Sequence, residues 1–377
     1  MKIYFKTVSF LLVFVTLFAL FSPHVEASET SLKVSAKSVC LIEAKSGRVL
    51  YSKNEDARMP MASTTKIMTA IVALESGVPL DTVIKTPQDA VGVEGSSIYL
   101  AAGEENTLEV LLYALLLSSA NDAALVIAKA VGGTVQDFVA LMNEKAATLG
   151  LSNTHFANPH GLDDEVHFST ARDLARLMAY AMENEDFRRI SGEDKIVVPR
   201  DNGGVRVLIN HNKLLHTYDG VVAGKTGFTK KSGRCLVSCA ERDGLSLIVV
   251  TLGAPNDWSD HAALYDFGFE NYKMQFFSSI EMEIATISGK NGKILAKSSE
   301  FSLFLTRFGG EIETKIEAPR FLFAPVKSGD EVGRVLFIRD GKLIASSPII
   351  ALQGDEQISY KFNIFTYLFN LIKGLFN

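Results

Sequence analysis

Ser63-Thr64-Thr65-Lys66 opens an apolar helix that the sequence predicts over residues 64–75 and that Gly77 ends. Lys66 comes three residues after Ser63, so the two side chains lie on one helical face, one turn apart. The hydroxyl of Ser63 also lies near the positive end of the helix dipole, which favours a developing oxyanion. A serine before a helix is most often only a cap, so this stretch indicates chemistry only if the chain supplies partners for it.

Two further motifs follow in chain order. Ser119-Ala120-Asn121 breaks two predicted helices, and Lys225-Thr226-Gly227 lies on a predicted strand. A hydroxyl needs a base to become a nucleophile, and a lysine can be that base only if its pKa falls. Desolvation or a second nearby cation lowers a lysine pKa, and Lys225 is the candidate cation for Lys66. Together the three motifs predict one nucleophilic site with Ser63 as the attacking group.

Other residues of these motifs can hold the substrate and move protons. Ser119 can relay a proton to a leaving amine, and Asn121 can position both Lys66 and a substrate amide. Lys225 and Thr226 can hold a carboxylate. These residues would therefore suit a substrate that has an amide and a carboxylate.

The strand that carries the third motif also predicts an oxyanion hole. Gly227 lets a substrate backbone lie close against the strand, because it has no side chain. The backbone N–H groups of Ser63 and Phe228 would then donate hydrogen bonds to the oxyanion.

The order of predicted elements indicates a mixed α/β protein of the α+β kind, with helices flanking one antiparallel sheet. Capping boxes are predicted at Asn106 with Glu109 and at Thr170 with Asp173. The predicted strands are residues 38–43, 48–53, 221–228, 234–241 and 245–252, and the predicted helices are residues 64–75, 106–117, 122–130, 135–149, 170–182 and 260–272.

The rest of the chain predicts three further segments around a catalytic domain over residues 28–274. Short strands and turns indicate a small β-rich domain over residues 275–353, followed by a polar linker at residues 354–357. Residues 358–377 repeat Phe, Leu and Ile at helical spacing, with Asn and Lys on the opposite stripe. This pattern favours an amphipathic helix at a membrane interface, and the alternative is a helix docked on its own protein.

The N-terminus is typical of an export signal. Lys2 and Lys6 precede an apolar run over residues 8–21, and Val25-Glu26-Ala27 offers a cleavage site before Ser28. We therefore expect residues 1–27 to be a signal peptide, with an uncleaved anchor as the alternative. The net charge of −5 argues against a nucleic-acid partner.

The chain has three cysteines, Cys40, Cys235 and Cys239. Cys235 and Cys239 lie four residues apart on one predicted strand, about 13 Å from each other, too far for a disulfide. We expect buried free thiols and no metal site.

Other polar residues invite a role. His160 and His167 are interpreted as residues that structure a loop, and the acidic residues 163–165 as a solvated loop. Arg234 could lend charge to the carboxylate pocket or be a surface residue of its strand.

The chain resembles the D-alanyl-D-alanine carboxypeptidases, the penicillin-binding proteins of low molecular mass. The resemblance covers nearly the whole chain, and it includes residues 60–66, Asn158-Pro159-His160-Gly161-Leu162 and residues 169–174. It implies the serine β-lactamase/transpeptidase fold, and an acyl-ester on Ser63 with Lys66 as proton acceptor. It further implies that Ser119 assists and Lys225 binds substrate.

The same resemblance implies the partners and the location. The expected ligands are peptidoglycan stem peptides and β-lactam antibiotics, with no cofactor. The expected location is the extracytoplasmic face of the bacterial cell membrane, held there by the C-terminal helix.

Two departures bear on a rival function. Ala120 stands where the related Ser-Asp-Asn motif has aspartate, and no Glu-x-x-Leu-Asn stretch occurs between Asn121 and Lys225. Both differences favour a carboxypeptidase over a β-lactamase of the same fold. A catalytically silent wall-binding protein is the second alternative, although the intact motifs argue against it.

Overall fold

Helices and strands follow the predicted order. The computed structural model describes residues 32–200 and 203–359. The predicted signal peptide, residues 1–27, and residues 360–377 of the predicted C-terminal helix lie outside these ranges. The first nine strands are β1 (Ser38–Glu43), β2 (Val49–Lys53), β3 (Val83–Lys85), β4 (Glu105–Thr107), β5 (Lys195–Pro199), β6 (Val205–Ile209), β7 (Val221–Thr229), β8 (Gly233–Arg242) and β9 (Leu245–Leu252). The helices are α1 (Lys66–Leu74), α2 (Leu108–Leu116), α3 (Asn121–Gly132), α4 (Val135–Thr148), α5 (Ala171–Ala181), α6 (Glu185–Gly192), α7 (Leu214–Thr217) and α8 (Asp257–Asn271).

The central sheet has five strands in the order β2-β1-β9-β8-β7, and every neighbouring pair is antiparallel. Cys235, Val237 and Cys239 on one face of β8 belong to the main hydrophobic core, which also contains residues of α1 and α5. Ser238 on the opposite face bonds to His261 and Tyr265 of α8. Helices therefore cover both faces, which confirms the predicted fold class, and β7 is left as an edge strand.

The first residues of α5 and α2 test the two capping boxes that the sequence predicts. Thr170 caps α5 by accepting a hydrogen bond from the N–H of Asp173 at 3.1 Å, as predicted. The predicted cap at Asn106 is wrong by one residue, because Asn106 pairs within β4 and Thr107 caps α2. Thr107 fits because its hydroxyl accepts from the N–H of Val110, which leaves no helical donor unpaired at that position.

Helix α6 and the β5–β6 hairpin have no counterpart in the sequence-based prediction, and neither do the short elements β3, β4 and α7. Helix α6 is capped by Asn184, which accepts from the N–H of Phe187 at 2.9 Å. Strands β5 and β6 pair as an antiparallel hairpin, in a stretch for which the sequence predicts no strand.

Beyond α8 the chain is β-rich, as expected, and has its own hydrophobic core around Ile294, Phe337 and Ile349. The strands are β10 (Tyr272–Phe277), β11 (Glu281–Ile287), β12 (Lys293–Ser298), β13 (Phe301–Thr306), β14 (Ile312–Glu317), β15 (Phe321–Phe323), β16 (Glu331–Arg339) and β17 (Lys342–Ala351). Strands β10 and β13 pair with each other, and the other six form a sheet in the order β14-β16-β17-β12-β11-β15.

The interpretation of residues 354–357 as a polar linker is wrong. Asp355 is buried, it accepts a hydrogen bond from Thr286, and it accepts another from the N–H of Asn291 at 2.9 Å. Backbone bridges join Val326 to Asp355 and Gly289 to Gln357. The buried carboxylate of Asp355 and these backbone bridges tie residues 354–357 to the β-rich region, and so they belong to it.

Candidate active site

Ser63 lies in a short 3-10 turn, Ala62–Thr65, that leads directly into α1. The hydroxyls of Thr64 and Thr65 each donate to the carbonyl three residues earlier, both at 2.7 Å. Ala62 has a φ of +48°, which is uncommon for a residue with a side chain. Local hydrogen bonds therefore hold a strained turn that positions Ser63.

Gly161 and Gly227 come from two different segments and both lie close against this turn. A β-carbon at Gly161 would lie 2.0 Å from the carbonyl oxygen of Ala62, and one at Gly227 would lie 3.0 Å from the backbone nitrogen of Ser63. Gly161 also has a φ of +91°, which favours glycine. The sequence assigns Gly227 to close approach of a substrate. The structure adds that its missing side chain leaves room for the Ser63 turn itself.

Lys66 is fully buried, and its Nζ has three hydrogen-bond partners. Nζ lies 2.9 Å from Ser63 Oγ, 2.7 Å from Asn121 Oδ1 and 2.5 Å from the carbonyl oxygen of His160. The amide of Asn121 is held in this orientation because its Nδ2 donates to the carbonyl oxygen of Glu94 at 2.6 Å. The predicted contacts of Lys66 with Ser63 and Asn121 are therefore present in the structure.

The partners of Lys66 fix the direction of its lone pair. The His160 carbonyl and Asn121 Oδ1 can only accept hydrogen bonds, so they take up both N–H bonds of a neutral amine. The remaining lone pair then faces the third partner, Ser63 Oγ. This arrangement is suited to removing the hydroxyl proton of Ser63.

The electrostatics favour the neutral form of that amine. Burial is the largest cause that lowers the pKa of Lys66 well below its usual value, and the positive charge of Lys225 lowers it further. The nearby carboxylate of Asp122 opposes both effects. Burial also lowers the pKa of Lys225 to about 7. Both lysines are therefore poised to lose a proton far more easily than an exposed lysine.

Lys225 differs in its burial from the three residues that follow it on β7. It is 1% exposed, and its Nζ donates to the carbonyl oxygen of Thr226 at 2.9 Å. Thr226, Gly227 and Phe228 line the cleft, whereas Lys225 is not among the residues that line it. The structure thus supports an electrostatic influence of Lys225 on Lys66.

The cleft above Ser63 has a volume of about 490 Å³. It brings together three separate parts of the chain that the sequence predicts to converge, since Ser63, Ser119 and Thr226 all line it. Ser119 is held with a φ of +58° in the break between α2 and α3. The residues that line the cleft are Ser63, Ser96, Ser119, Asn210, His211, Lys213, Thr226, Gly227, Phe228, Arg234, Asp257 and Trp258.

The two histidines structure their loops, as interpreted from the sequence. His160 Nδ1 accepts from the N–H of Leu162, and His167 Nδ1 accepts from the N–H of Ala157 at 3.0 Å. His167 Nε2 then carries the hydrogen that it donates to Thr65 Oγ1, at 2.7 Å. Burial lowers the pKa of His160 to about 3 and that of His167 to about 4, so both are neutral at neutral pH.

Arg234 is a cleft residue. Its Nε donates to Asp257 Oδ1 at 2.9 Å, and its guanidinium lies 5.4 Å from the centre of the Trp258 ring. Its side chain is 42% exposed, while that of Asp257 is 3% exposed. The register places Arg234 directly opposite Phe228, whose N–H is the predicted oxyanion donor.

Sequence reasoning missed several groups that build the site. The carbonyl of His160 is a backbone atom, so no residue type could signal its contact with Lys66. Asp122 accepts from Ser97 Oγ at 2.7 Å and from the N–H of Leu100 at 3.0 Å, which ties down the segment that places Ser96 in the cleft. Its place in the first turn of α3, beside Asn121, was the one available signal.

The described residues show neither a metal-binding cluster nor a disulfide. No three His, Cys, Asp or Glu side chains in residues 32–200 and 203–359 gather to hold a metal ion. Cys40, Cys235 and Cys239 are buried free thiols.

The sheet, its helices and the Ser63–Lys66 pair define a serine hydrolase of the β-lactamase/transpeptidase fold. The model of the peptidase S11 family, D-alanyl-D-alanine carboxypeptidase, matches residues 24–256. The D-alanyl-D-alanine carboxypeptidase DacF of Bacillus subtilis is 32% identical over 90% of this chain and 92% of its own length.

Solved structures agree with this match. The D-alanyl-D-alanine carboxypeptidase DacD from Francisella tularensis has a TM-score of 0.65 and 26% identity, covering 90% of this chain and 98% of the other. Penicillin binding protein 5 from Haemophilus influenzae has a TM-score of 0.68 and 26% identity, covering 86% and 98%. The chain belongs to the D-alanyl-D-alanine carboxypeptidase family, which confirms the predicted family and the predicted enzyme class.

Proposed function

We propose that this enzyme removes the terminal D-alanine from peptidoglycan stem pentapeptides through an acyl-enzyme on Ser63, and that β-lactam antibiotics acylate the same oxygen. One observation carries the mechanism. The buried amine of Lys66 lies 2.9 Å from Ser63 Oγ, with its other two partners restricted to acceptors. That geometry favours a neutral amine with its lone pair on the hydroxyl proton.

In the acylation step, Ser63 Oγ attacks the carbonyl carbon of the terminal peptide bond while its proton passes to Lys66. The N–H groups of Ser63 and Phe228 donate to the oxyanion that forms. The carbon–nitrogen bond then breaks, and Ser119 relays the proton from Lys66 to the leaving amine of D-alanine. An ester on Ser63 remains.

In the deacylation step, a water molecule attacks the ester carbon and gives its proton to Lys66. The ester bond to Ser63 Oγ breaks, and the proton returns to that oxygen, so the enzyme is regenerated. Asn121 takes part in both steps, because its Oδ1 orients Lys66.

We assign recognition of the free terminal carboxylate to Thr226 and Arg234. Arg234 is fixed by Asp257 and Trp258, it keeps a permanent charge, and it lies opposite the oxyanion donor Phe228. The carbonyl carbon that Ser63 attacks belongs to the penultimate residue and lies only a few ångströms from the carboxylate of the terminal residue, so one cross-strand pair can contact both. Lys225 as a direct carboxylate ligand stays a prediction, since its amine is buried beside Thr226.

Mass spectrometry after treatment with benzylpenicillin tests the acyl-enzyme directly. We expect one long-lived adduct on the peptide that contains Ser63, and none in a Ser63→Ala variant. Rapid turnover of penicillin without an adduct would favour a β-lactamase. An enzyme that releases no D-alanine from a pentapeptide would favour the catalytically silent alternative.

A substrate pair tests the carboxylate assignment. An Arg234→Gln variant should lose about tenfold or more in kcat/KM on the pentapeptide, because a charge-assisted hydrogen bond contributes roughly 1.5–3 kcal/mol. On the C-terminal amide analogue the variant and the parent should be equally slow. An equal loss on both substrates would contradict a carboxylate contact.

The proposed location is the extracytoplasmic face of the bacterial cell membrane. Its support is the predicted signal peptide, residues 1–27, and the amphipathic pattern of residues 358–377. We further propose residues 28–274 as the catalytic domain and residues 275–353 as the core of the β-rich domain. N-terminal sequencing from an expressing cell should start at Ser28, and deletion of residues 360–377 should release the enzyme from the membrane fraction.

No described helix, taken singly, has the length and apolar character to span a bilayer, and the pair α3 and α4 meets both measures only across a bend of 84°.

A further inference from the structure

An exposed aromatic pair lies on the outermost strand of the β-rich sheet. Phe321 is 49% exposed and Phe323 is 70% exposed, and their ring centres are 5.7 Å apart. Leu322 between them packs against the core, so the two rings share the outer face of β15. Exposed phenylalanine rings in contact at a sheet edge have no packing role and indicate an interaction surface.

The neighbouring strand widens this apolar strip. Phe321 pairs with Ala285 and Phe323 pairs with Ile287 in the parallel register of β15 and β11. Paired residues project from the same face of a sheet, and both Ala285 and Ile287 are exposed. The apolar strip is therefore two strands wide.

Positive charges flank the rings. Arg320 comes directly before the rings and Lys327 comes four residues after them, and the nearest acidic residues in sequence are Glu317 and Asp330, whose carboxylate accepts from the N–H of Lys327 at 2.8 Å. The side chains of Arg320 and Lys327 are exposed, and neither forms an ion pair with any residue that the structure describes. We call Arg320, Phe321, Phe323 and Lys327, together with Ile287, the basic–aromatic edge.

The chain leaves the described structure close to this edge. The N–H of Ile358 donates to the carbonyl of Ser288 at 2.8 Å, while the carbonyl of Ile287 accepts from the N–H of Ala324 on the other side. The bridge between Val326 and Asp355 also places this segment directly beside the chain that continues from β15. Residues 360–377, which follow, contain two lysines and no acidic residue.

We propose that the basic–aromatic edge is a second membrane contact, in addition to the one proposed for residues 360–377, and that it seats its rings in the headgroup region of an anionic bilayer. Phenylalanine between basic residues fits that interface, because the rings enter the acyl boundary while the cations stay with anionic headgroups. The proposal rests on the membrane location proposed above and is independent of the proposed catalysis.

The charge of the basic–aromatic edge distinguishes a bilayer from two other candidate occupants of this surface, a second copy of the chain and residues 360–377. A second copy would bring two identical cationic edges together. Residues 360–377 carry Lys361 and Lys373 and no acidic residue, so this segment offers no charge complementary to Arg320 and Lys327. An anionic lipid surface attracts both the edge and residues 360–377. Two contacts would fix the orientation of the β-rich region and so set the distance of the Ser63 cleft from the membrane.

Vesicle co-sedimentation of the full chain tests the proposal. Phosphatidylcholine vesicles are compared with vesicles that also contain phosphatidylglycerol. The variant Phe321→Thr with Phe323→Thr should bind about tenfold more weakly to both, because two rings no longer leave water. The variant Arg320→Gln with Lys327→Gln should lose about tenfold only on the anionic vesicles.

Phe308→Thr is the matched control. Phe308 is 72% exposed, and it lies near β14 and β16, at the opposite end of the sheet order from β15. This variant should bind as the parent does. All variants should release D-alanine from a soluble pentapeptide at the parent rate, which separates this proposal from the catalytic one.

Three results would overturn the proposal. The first is parent-like vesicle binding by both edge variants. The second is a dimer of the parent chain that the aromatic variant abolishes, which would identify a second copy as the occupant. The third is edge variants that bind vesicles more tightly than the parent, which would show that residues 360–377 cover the rings.

Discussion

Replacing Gly161 by alanine perturbs the contact between the 158–162 loop and the turn that carries Ser63. The new β-carbon would lie 2.0 Å from the carbonyl oxygen of Ala62 and 2.9 Å from the backbone nitrogen of Ser63. Real β-carbons do not approach other atoms closer than 3.0 Å, so the loop and the turn must separate by at least 1.0 Å (3.0 minus 2.0).

That displacement falls on catalytic atoms. A 1 Å misplacement of reacting groups costs on the order of 10²-fold in rate, so kcat/KM for D-alanine release should fall by about that factor. Overpacking costs roughly 1–3 kcal/mol, and the φ of +91° adds a cost of about 1 kcal/mol for any residue with a side chain. Stability should therefore fall by about 3 kcal/mol.

The assay measures D-alanine release, penicillin acylation and the thermal midpoint of each variant. Gly150→Ala is the matched control, because Gly150 has a φ of +67° but a β-carbon there would meet no atom within 4 Å. The control should lose about 1 kcal/mol of stability and keep its rates. If Gly161→Ala matched Gly150→Ala in both rate and stability, the loop would not position Ser63.

Three further predictions follow from buried titratable groups. Acylation needs the neutral amine of Lys66, so the acylation rate should fall as the pH falls through the lowered pKa of Lys66. The variant Lys225→Met removes a like charge and so raises the pKa of Lys66, which should move this acidic limb of the rate profile to higher pH. Burial alone would raise the pKa of Glu104, but hydrogen bonds, above all from Arg206, lower it to about 2. This buried pair should thus stabilise the fold above the usual glutamate pKa and lose that effect as the pH falls towards 2. Glu104→Leu should cost about 3–5 kcal/mol in thermal or urea unfolding, and adding Arg206→Met should restore most of it. Burial raises the pKa of Cys40 to about 12, so a thiol reagent at neutral pH should label this cysteine only after unfolding, and labelling of the native protein would contradict its burial.

The catalytic side chains could be predicted because their residue types and spacing indicate the chemistry that they perform. Ser63 and Lys66 are three residues apart on one helix, so their contact follows from helical geometry alone. Asn121 reaches Lys66 from 55 residues away, and only the combination of motifs predicts that contact. The carbonyl of His160 could not be predicted, because any residue offers the same backbone oxygen.

The misjudged elements share a physical cause. Asn106 and Thr107 are both good caps, and the pairing of Asn106 with Ile84 across β3 and β4 decided between them. The polar residues around Asp355 looked like a linker, although its carboxylate is buried against Thr286. In each case a tertiary contact outweighed a local preference that composition or spacing could detect.

The β5–β6 hairpin was missed for a similar reason. The exposed positions Val197, Val205 and Val207 are apolar, and Arg206 is buried between two of them, so the sequence lacks the apolar–polar alternation that marks a half-buried strand. The pairing is held by Arg206, whose guanidinium bonds to Glu104 at 2.6 Å across more than 100 residues of sequence.

The acylation rate of a Lys66→Met variant tests the central claim most directly. Methionine fills a similar volume without an amine, so the fold should survive with an unchanged or higher thermal midpoint. A positioned general base contributes roughly 10²–10⁴-fold, so the second-order rate of acylation by benzylpenicillin should fall by about 10³-fold. A folded variant that forms the Ser63 adduct as fast as the parent would show that Lys66 is not the base.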